Sequence, residues 1–167
     1  MLANALTICR IVLGITLLLT DAFSLPFFAI YGLAGLTDIL DGFIARKTGA
    51  ESELGAKLDS IADLVLTIAC LVKVLSAISV PTWLWVWVAL IVLVKVVNAV
   101  SGLVVERRII MPHTIANKAA GLAAFFVPFA IPMLGVTVPA IVACVVATFA
   151  AVQEGHLIRT GSVGPTA

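Results

Sequence analysis

DILDGFIARKTGAESELGAKLDSIAD, residues 38–63, places Asp38, Asp41, Asp59 and Asp63 in one short run of an otherwise apolar chain. The whole chain has nine acidic residues, and these four aspartates are almost half of them. Asp38 and Asp41 stand at i and i+3, one face of a helix. Gly55, Asp59 and Asp63 stand at i, i+4 and i+8, again one stripe. Gly42 and Ala45 share the first face and Ala62 joins the second, so small residues leave the backbone open to a ligand. A carboxylate inside a bilayer costs roughly 2.5–3.5 kcal/mol or more. Four of them at helical spacing therefore predict a cradle for hard divalent cations, because all-oxygen ligation suits Mg²⁺, Mn²⁺ or Ca²⁺ and not zinc. Four negative charges match two such ions. Ion pairing with Arg46, Lys47 and Lys57 is the plainer alternative, but mobile loop cations compensate a carboxylate cluster in lipid poorly.

Around this run the composition is that of a membrane protein. Hydrophobic residues make up 62% of the chain and charged residues 11%, against about 25% charged in soluble domains. The net charge of +1 and the lack of a basic tract give no reason to expect nucleic acid. The three cysteines lie singly in apolar segments, with no metal-ligand or redox spacing. A span needs about 20 mostly apolar residues. Six segments qualify: Leu2–Thr20, Phe23–Ala45, Gly55–Ser79, Trp83–Val105, Thr114–Met133 and Leu134–Val152. The expectation is one all-α integral membrane domain over residues 1–167, a bundle of six transmembrane helices. The first segment is read as a span and not a leader, because it lacks a basic start and Arg10 interrupts it.

Charge sets the orientation. Arg46, Lys47 and Lys57 follow the second segment, Arg107 and Arg108 the fourth, and Arg159 lies in the tail. The opposite loops carry only Asp21. By the positive-inside rule both termini face the cytoplasm. Trp83, Trp85 and Trp87 mark the outer start of the fourth segment, and Lys73 snorkels to the same side. Polar residues thus gather in the inner half. That argues against a cation channel or transporter, which needs polar groups along the whole path. It suits an enzyme of the cytoplasmic membrane that takes lipid from the side and water-soluble reactants from one face.

The motif resembles the signature of the CDP-alcohol phosphotransferase family, D-x-x-D-G-x-x-A-R, about eight residues, then G-x-x-x-D-x-x-x-D. Asp38, Asp41, Gly42, Ala45, Arg46, Gly55, Asp59 and Asp63 fill every specified position. Asn4-Ala5-Leu6-Thr7-Ile8-Cys9-Arg10 resembles the N-L-T-x-x-R start of many members, and the six-helix pattern extends the resemblance over nearly the whole chain. It implies a phosphatidyltransferase acting on a CDP-linked lipid, usually CDP-diacylglycerol, with release of CMP. Asp38, Asp41, Asp59 and Asp63 would hold two Mg²⁺ or Mn²⁺ ions. The nucleotide would lie over Gly42, Ala45 and Gly55, with Asp38, Asp59, Arg46 and Thr7 as further contacts. Asp63 would be the general base toward the acceptor alcohol. Family members are mostly homodimers.

The acceptor is less legible. Lys95, Asn98, Arg107 and Lys118 are candidates to bind an acceptor phosphate. Lys95 sits near mid-helix, where an ammonium needs either a polar cavity or an ion-pair partner, and Asn98 follows it at i+3. Thr114 is placed to cap the fifth helix. Arg10, alone in the first helix, calls for the nucleotide or an aspartate. Leu64 follows Asp63, where the glycerol-phosphate type often has Lys and the inositol-phosphate type Arg, so the motif chooses no subgroup. The cations tilt the reading toward glycerol-3-phosphate, with inositol phosphate, serine or another donor as alternatives.

Overall fold

The structure, a computed structural model, describes residues 2–48, 53–106 and 114–160. Within the helices, the side chains of residues 2–4, 39, 41–48, 53, 54, 56 and 104–106 lie outside that description. The described chain is all helical: α1 Leu2–Leu17, α2 Leu25–Thr48, α3 Glu53–Ala77, α4 Thr82–Glu106, α5 Ile115–Leu134 and α6 Thr137–Arg159. It divides into two compact units, Met1–Ser79 and Val80–Ala167. By length and composition, four helices could cross a membrane: Lys57–Ala77, Thr82–Leu103, Ile115–Leu134 and Thr137–Arg159. Two apolar stretches, Ala5–Leu17 and Leu25–Asp38, are shorter.

In the first unit α1 packs against both α2 and α3, which touch each other only slightly. The short connection between α2 and α3 predicts direct neighbours, whereas the observed unit is organised by α1. The reason lies in the α1 stripe Thr7, Arg10, Gly14 and Leu17, all buried, spaced 3, 4 and 3. Gly14 has no side chain, so α3 comes close: a Cβ there would stand 3.2 Å from Val65 Cγ1 and 3.3 Å from Leu66 Cα. Phe27, Tyr31 and Ala34 of α2 form the matching buried stripe, as do Ala62, Leu66, Ala69, Cys70 and Val74 of α3. Asp38 lies one turn beyond Ala34, and Asp59 and Asp63 flank Ala62, so the buried stripes run directly into the carboxylates. The α1–α2 turn is closed by Thr20 Oγ1 donating to Leu17 O (2.8 Å). Ser24 caps α2, accepting from Phe27 N at 3.3 Å.

In the second unit α6 packs against both α4 and α5. Thr114 caps α5 as expected, its side chain accepting from Asn117 N. Gly135, at φ 71°, ends α5 and donates its N–H to Ile131 O, a left-handed position that suits glycine. The last helix starts later than expected, at Thr137, and runs to Arg159 instead of ending at Val152. Gln153-Glu154-Gly155-His156 looks like a polar exit from the bilayer, yet Glu154 and Gly155 are buried against the neighbouring helices. Trp87 Nε1 donates to Thr148 Oγ1 at 3.1 Å, tying α4 to α6. Many large apolar side chains are exposed on every helix, from Ile8 and Leu33 to Val92 and Phe149. In a soluble domain such a surface would aggregate; in a bilayer it is the lipid-facing side.

Candidate functional site

Arg10 has no exposed side-chain surface, and its Nη1 meets three carboxylates at once. It lies 3.1 Å from Asp38 Oδ1, 2.8 Å from Asp59 Oδ1 and 2.7 Å from Asp63 Oδ1. The aspartate side chains are roughly half exposed, at 50%, 44% and 53%. A buried guanidinium is strongly disfavoured without ionic partners, so the carboxylates are what let an arginine occupy the core stripe of α1. Conversely, three carboxylates from α2 and α3 converge because α1 presents a cation between them. Ligand oxygens of Asp38, Asp59 and Asp63 all lie within 4.8 Å of one another.

Of the four aspartates in residues 38–63, Asp38, Asp59 and Asp63 come together, and Arg10 meets all three. Thr7 is buried one turn before Arg10, and Gly55 precedes Asp59 by one turn on α3. Asp41, Gly42, Ala45 and Arg46 continue α2 beyond Asp38, but their side chains lie outside the described residues.

Do these residues fit a divalent cation? Hard oxygen donors from three carboxylates are the set that Mg²⁺ and Mn²⁺ favour. A cationic group already sits where those oxygens converge. Three carboxylates also exceed the single positive charge of Arg10, leaving negative charge for a divalent ion to balance. The donor set fits.

A second polar cluster lies in the other unit. Lys95 Nζ donates to Glu154 Oε2 at 3.0 Å and to Asn117 Oδ1 at 3.2 Å. Asn117 Nδ2 donates to the same Glu154 oxygen at 3.0 Å, so α4, α5 and α6 are held by one small network. Asn98 is buried, and its Nδ2 donates to Ala151 O at 2.7 Å. Among the acceptor candidates, Lys95 and Asn98 therefore have partners on α6. Lys118 is exposed in the first turn of α5, and Arg107 lies outside the described residues. Sequence reasoning did not single out Glu154 or Asn117. The available signal was that Glu154 is the one acidic residue after Glu106, in reach of a mid-helix lysine that needed a counter-charge.

Residues 1–155 match the family model described as CDP-alcohol phosphatidyltransferase. A probable phosphatidylglycerophosphate synthase of Mycobacterium tuberculosis is 31% identical over 147 residues, covering 79% of this chain and 68% of that protein. A CDP-diacylglycerol–serine O-phosphatidyltransferase of Methanocaldococcus jannaschii is 41% identical over 64 residues, 38% of this chain and 29% of that protein. A CDP-diacylglycerol–glycerol-3-phosphate 3-phosphatidyltransferase of Cereibacter sphaeroides is 40% identical over 83 residues, 50% of this chain and 35% of that protein. No solved structure matches the chain. The family match runs through both units and takes in the α1 arginine, the aspartate motif and Glu154; the chain belongs to the CDP-alcohol phosphatidyltransferase family.

Proposed function

We propose that the protein moves the phosphatidyl group of CDP-diacylglycerol to a small alcohol, glycerol-3-phosphate, and releases CMP. The observation that carries this reading is the convergence of Asp38, Asp59 and Asp63 within the family motif. The family match supports the donor and the reaction type. The names of two of these relatives, the glycerol-3-phosphate 3-phosphatidyltransferase of Cereibacter sphaeroides and the probable phosphatidylglycerophosphate synthase, support the acceptor. Both units are taken as one catalytic domain because the match spans them.

On this reading Asp38, Asp41, Asp59 and Asp63 hold two Mg²⁺ or Mn²⁺ ions. Bound there, the ions would neutralise the donor's diphosphate and stabilise charge on the attacking and leaving oxygens. The protein's own groups do the rest. Gly42, Ala45 and Gly55 leave room for the cytidine diphosphate to lie against the helix backbones, with Arg46 beside the diphosphate and Thr7 and Arg10 beneath it. Asp63, half exposed, takes the proton of the acceptor hydroxyl. The hydroxyl oxygen forms a bond to the phosphorus that carries the diacylglycerol, and the bond from that phosphorus to the CMP oxygen breaks. Lys118, Arg107, Lys95 and Asn98 are assigned to the acceptor phosphate. An ammonium has three donors; Glu154 and Asn117 engage two of those of Lys95, whose side chain is 42% exposed. We place the protein in the cell membrane as six spans, with both termini and the active site at the cytoplasmic face, and as a homodimer.

The test is CMP release by purified protein from CDP-diacylglycerol with Mg²⁺, offered glycerol-3-phosphate, inositol phosphate, serine and a second phospholipid in turn. Release with glycerol-3-phosphate, absent in Asp63→Asn, supports the proposal. Release only with another acceptor keeps the chemistry and replaces the substrate. No release with any acceptor from folded protein removes the proposed reaction.

A further inference from the structure

The space between the three carboxylates is filled by one nitrogen. Nη1 of Arg10 is within 3.1 Å of an oxygen from each of Asp38, Asp59 and Asp63. A cation bound to those same three oxygens has to stand where that nitrogen stands. Two cations cannot share the position, since each would face the other at less than contact distance with no intervening ligand. The helix itself cannot easily withdraw, because Gly14, one turn on, seats α1 tightly against Val65 and Leu66. The arginine side chain, with four rotatable bonds, can withdraw.

We propose that Arg10 and a divalent cation compete for the same three carboxylate oxygens, so that a divalent cation binds there by displacing the guanidinium. The proposal rests on the metal-binding reading given above. Without metal, Arg10 holds three like charges together that would otherwise drive α2 and α3 apart. With metal, the same three oxygens are neutralised by the ion and the guanidinium is released from them. Arg10 is then a positioning residue: it keeps the cradle assembled while empty and sets how strongly metal must bind to enter. Because the two cations compete for one place, each lowers the apparent affinity of the other, and the coupling is reciprocal.

The full chain, purified in nanodiscs and stripped with EDTA, is titrated with Mn²⁺ alone. Free Mn²⁺ is read by electron paramagnetic resonance, and melting temperature is measured with and without saturating metal. Arg10→Gln is expected to bind Mn²⁺ about tenfold more tightly than wild type, within the usual range of such couplings. Its metal-free form melts lower than wild type, while the loaded forms converge. Arg10→Lys, which keeps the charge, lies nearer to wild type in affinity. An arginine that merely braces the helices would leave the same melting deficit with and without metal, and that result overturns the proposal. So does an Arg10→Gln affinity equal to or weaker than wild type. Should the Gln variant not fold, arginine-labelled wild type decides: one slowly exchanging guanidinium signal is expected to exchange faster when Mg²⁺ is added, and no change overturns the proposal. Wild type that binds no Mn²⁺ overturns both this inference and the metal reading beneath it. Wild type that binds normally beside an unaltered Gln variant overturns this inference alone.

Discussion

Gly155 of α6 lies against Asn98 of α4, so closely that a Cβ at position 155 would stand 2.6 Å from Asn98 Oδ1. Asn98 cannot simply swing aside, because it is buried and its Nδ2 is bonded to Ala151 O. Gly155→Ala should therefore destabilise the second unit by about 1–3 kcal/mol, the usual range for overpacking. Thermal melting in detergent measures this. Asn98→Ala in the same background should relieve the clash, so the double variant should be less destabilised than the sum of the two singles.

Glu154 and Lys95 form the ion pair at the centre of the second polar cluster. Removing one partner of a fully buried pair costs about 3–5 kcal/mol. Here the Lys95 side chain is 42% exposed, so Glu154→Ala should cost less, about 1–3 kcal/mol. Lys95→Met with Glu154→Leu together should recover much of the loss, since neither leaves an unpaired charge behind. A double-mutant cycle on chemical denaturation reads the coupling directly. If Lys95 also meets the acceptor, the recovered double variant stays stable and shows a raised KM for glycerol-3-phosphate.

Chelation is the third test. On the proposed mechanism EDTA abolishes CMP release, and Mg²⁺ or Mn²⁺ restores it. Asp59→Asn, which removes a charge but keeps the shape, should raise the metal concentration needed for half-maximal rate. Asp63→Asn should lower kcat about 10²–10⁴-fold even at saturating metal, the range expected for loss of a general base.

Gly14→Val probes the support beneath the site. The added methyl groups meet Val65 and the backbone of Leu66, so α1 must shift outward, at about 1–3 kcal/mol of stability. Arg10 is one turn away on the same face, and CMP release should fall along with stability. The milder Gly14→Ala should give a smaller loss of both.

Much of the candidate site is legible in residues 38–63, because carboxylates at i, i+3 and at i, i+4 can only gather if they share helix faces. What the spacing hides is the role of α1. Adjacency in the chain suggests that α2 and α3 pack together, yet Thr7, Arg10, Gly14 and Leu17 already form a stripe at spacings 3, 4 and 3. That stripe signals a helix buried along one side, and its charged member signals what it is buried against. The end of α6 was illegible for a different reason. Polarity at Gln153 and Glu154 reads as exposure to water unless the partner is known, and the partner, Lys95, lies 59 positions earlier. Helix periodicity locates faces; it does not say which face meets which.

The chromophores are divided as cleanly as the two compact units. All three tryptophans fall at 83, 85 and 87, at the start of α4, and Trp87 is bonded to α6. The single tyrosine, Tyr31, is buried in α2. Each half of the chain thus carries its own optical label. Indole emission follows the Lys95–Glu154 half, and phenol emission, once the three tryptophans are replaced by phenylalanine, follows the half that holds Arg10 and the aspartates. Melting the unmodified chain by the first signal and the replaced chain by the second reveals whether the halves melt together, and added metal should move the tyrosine trace first.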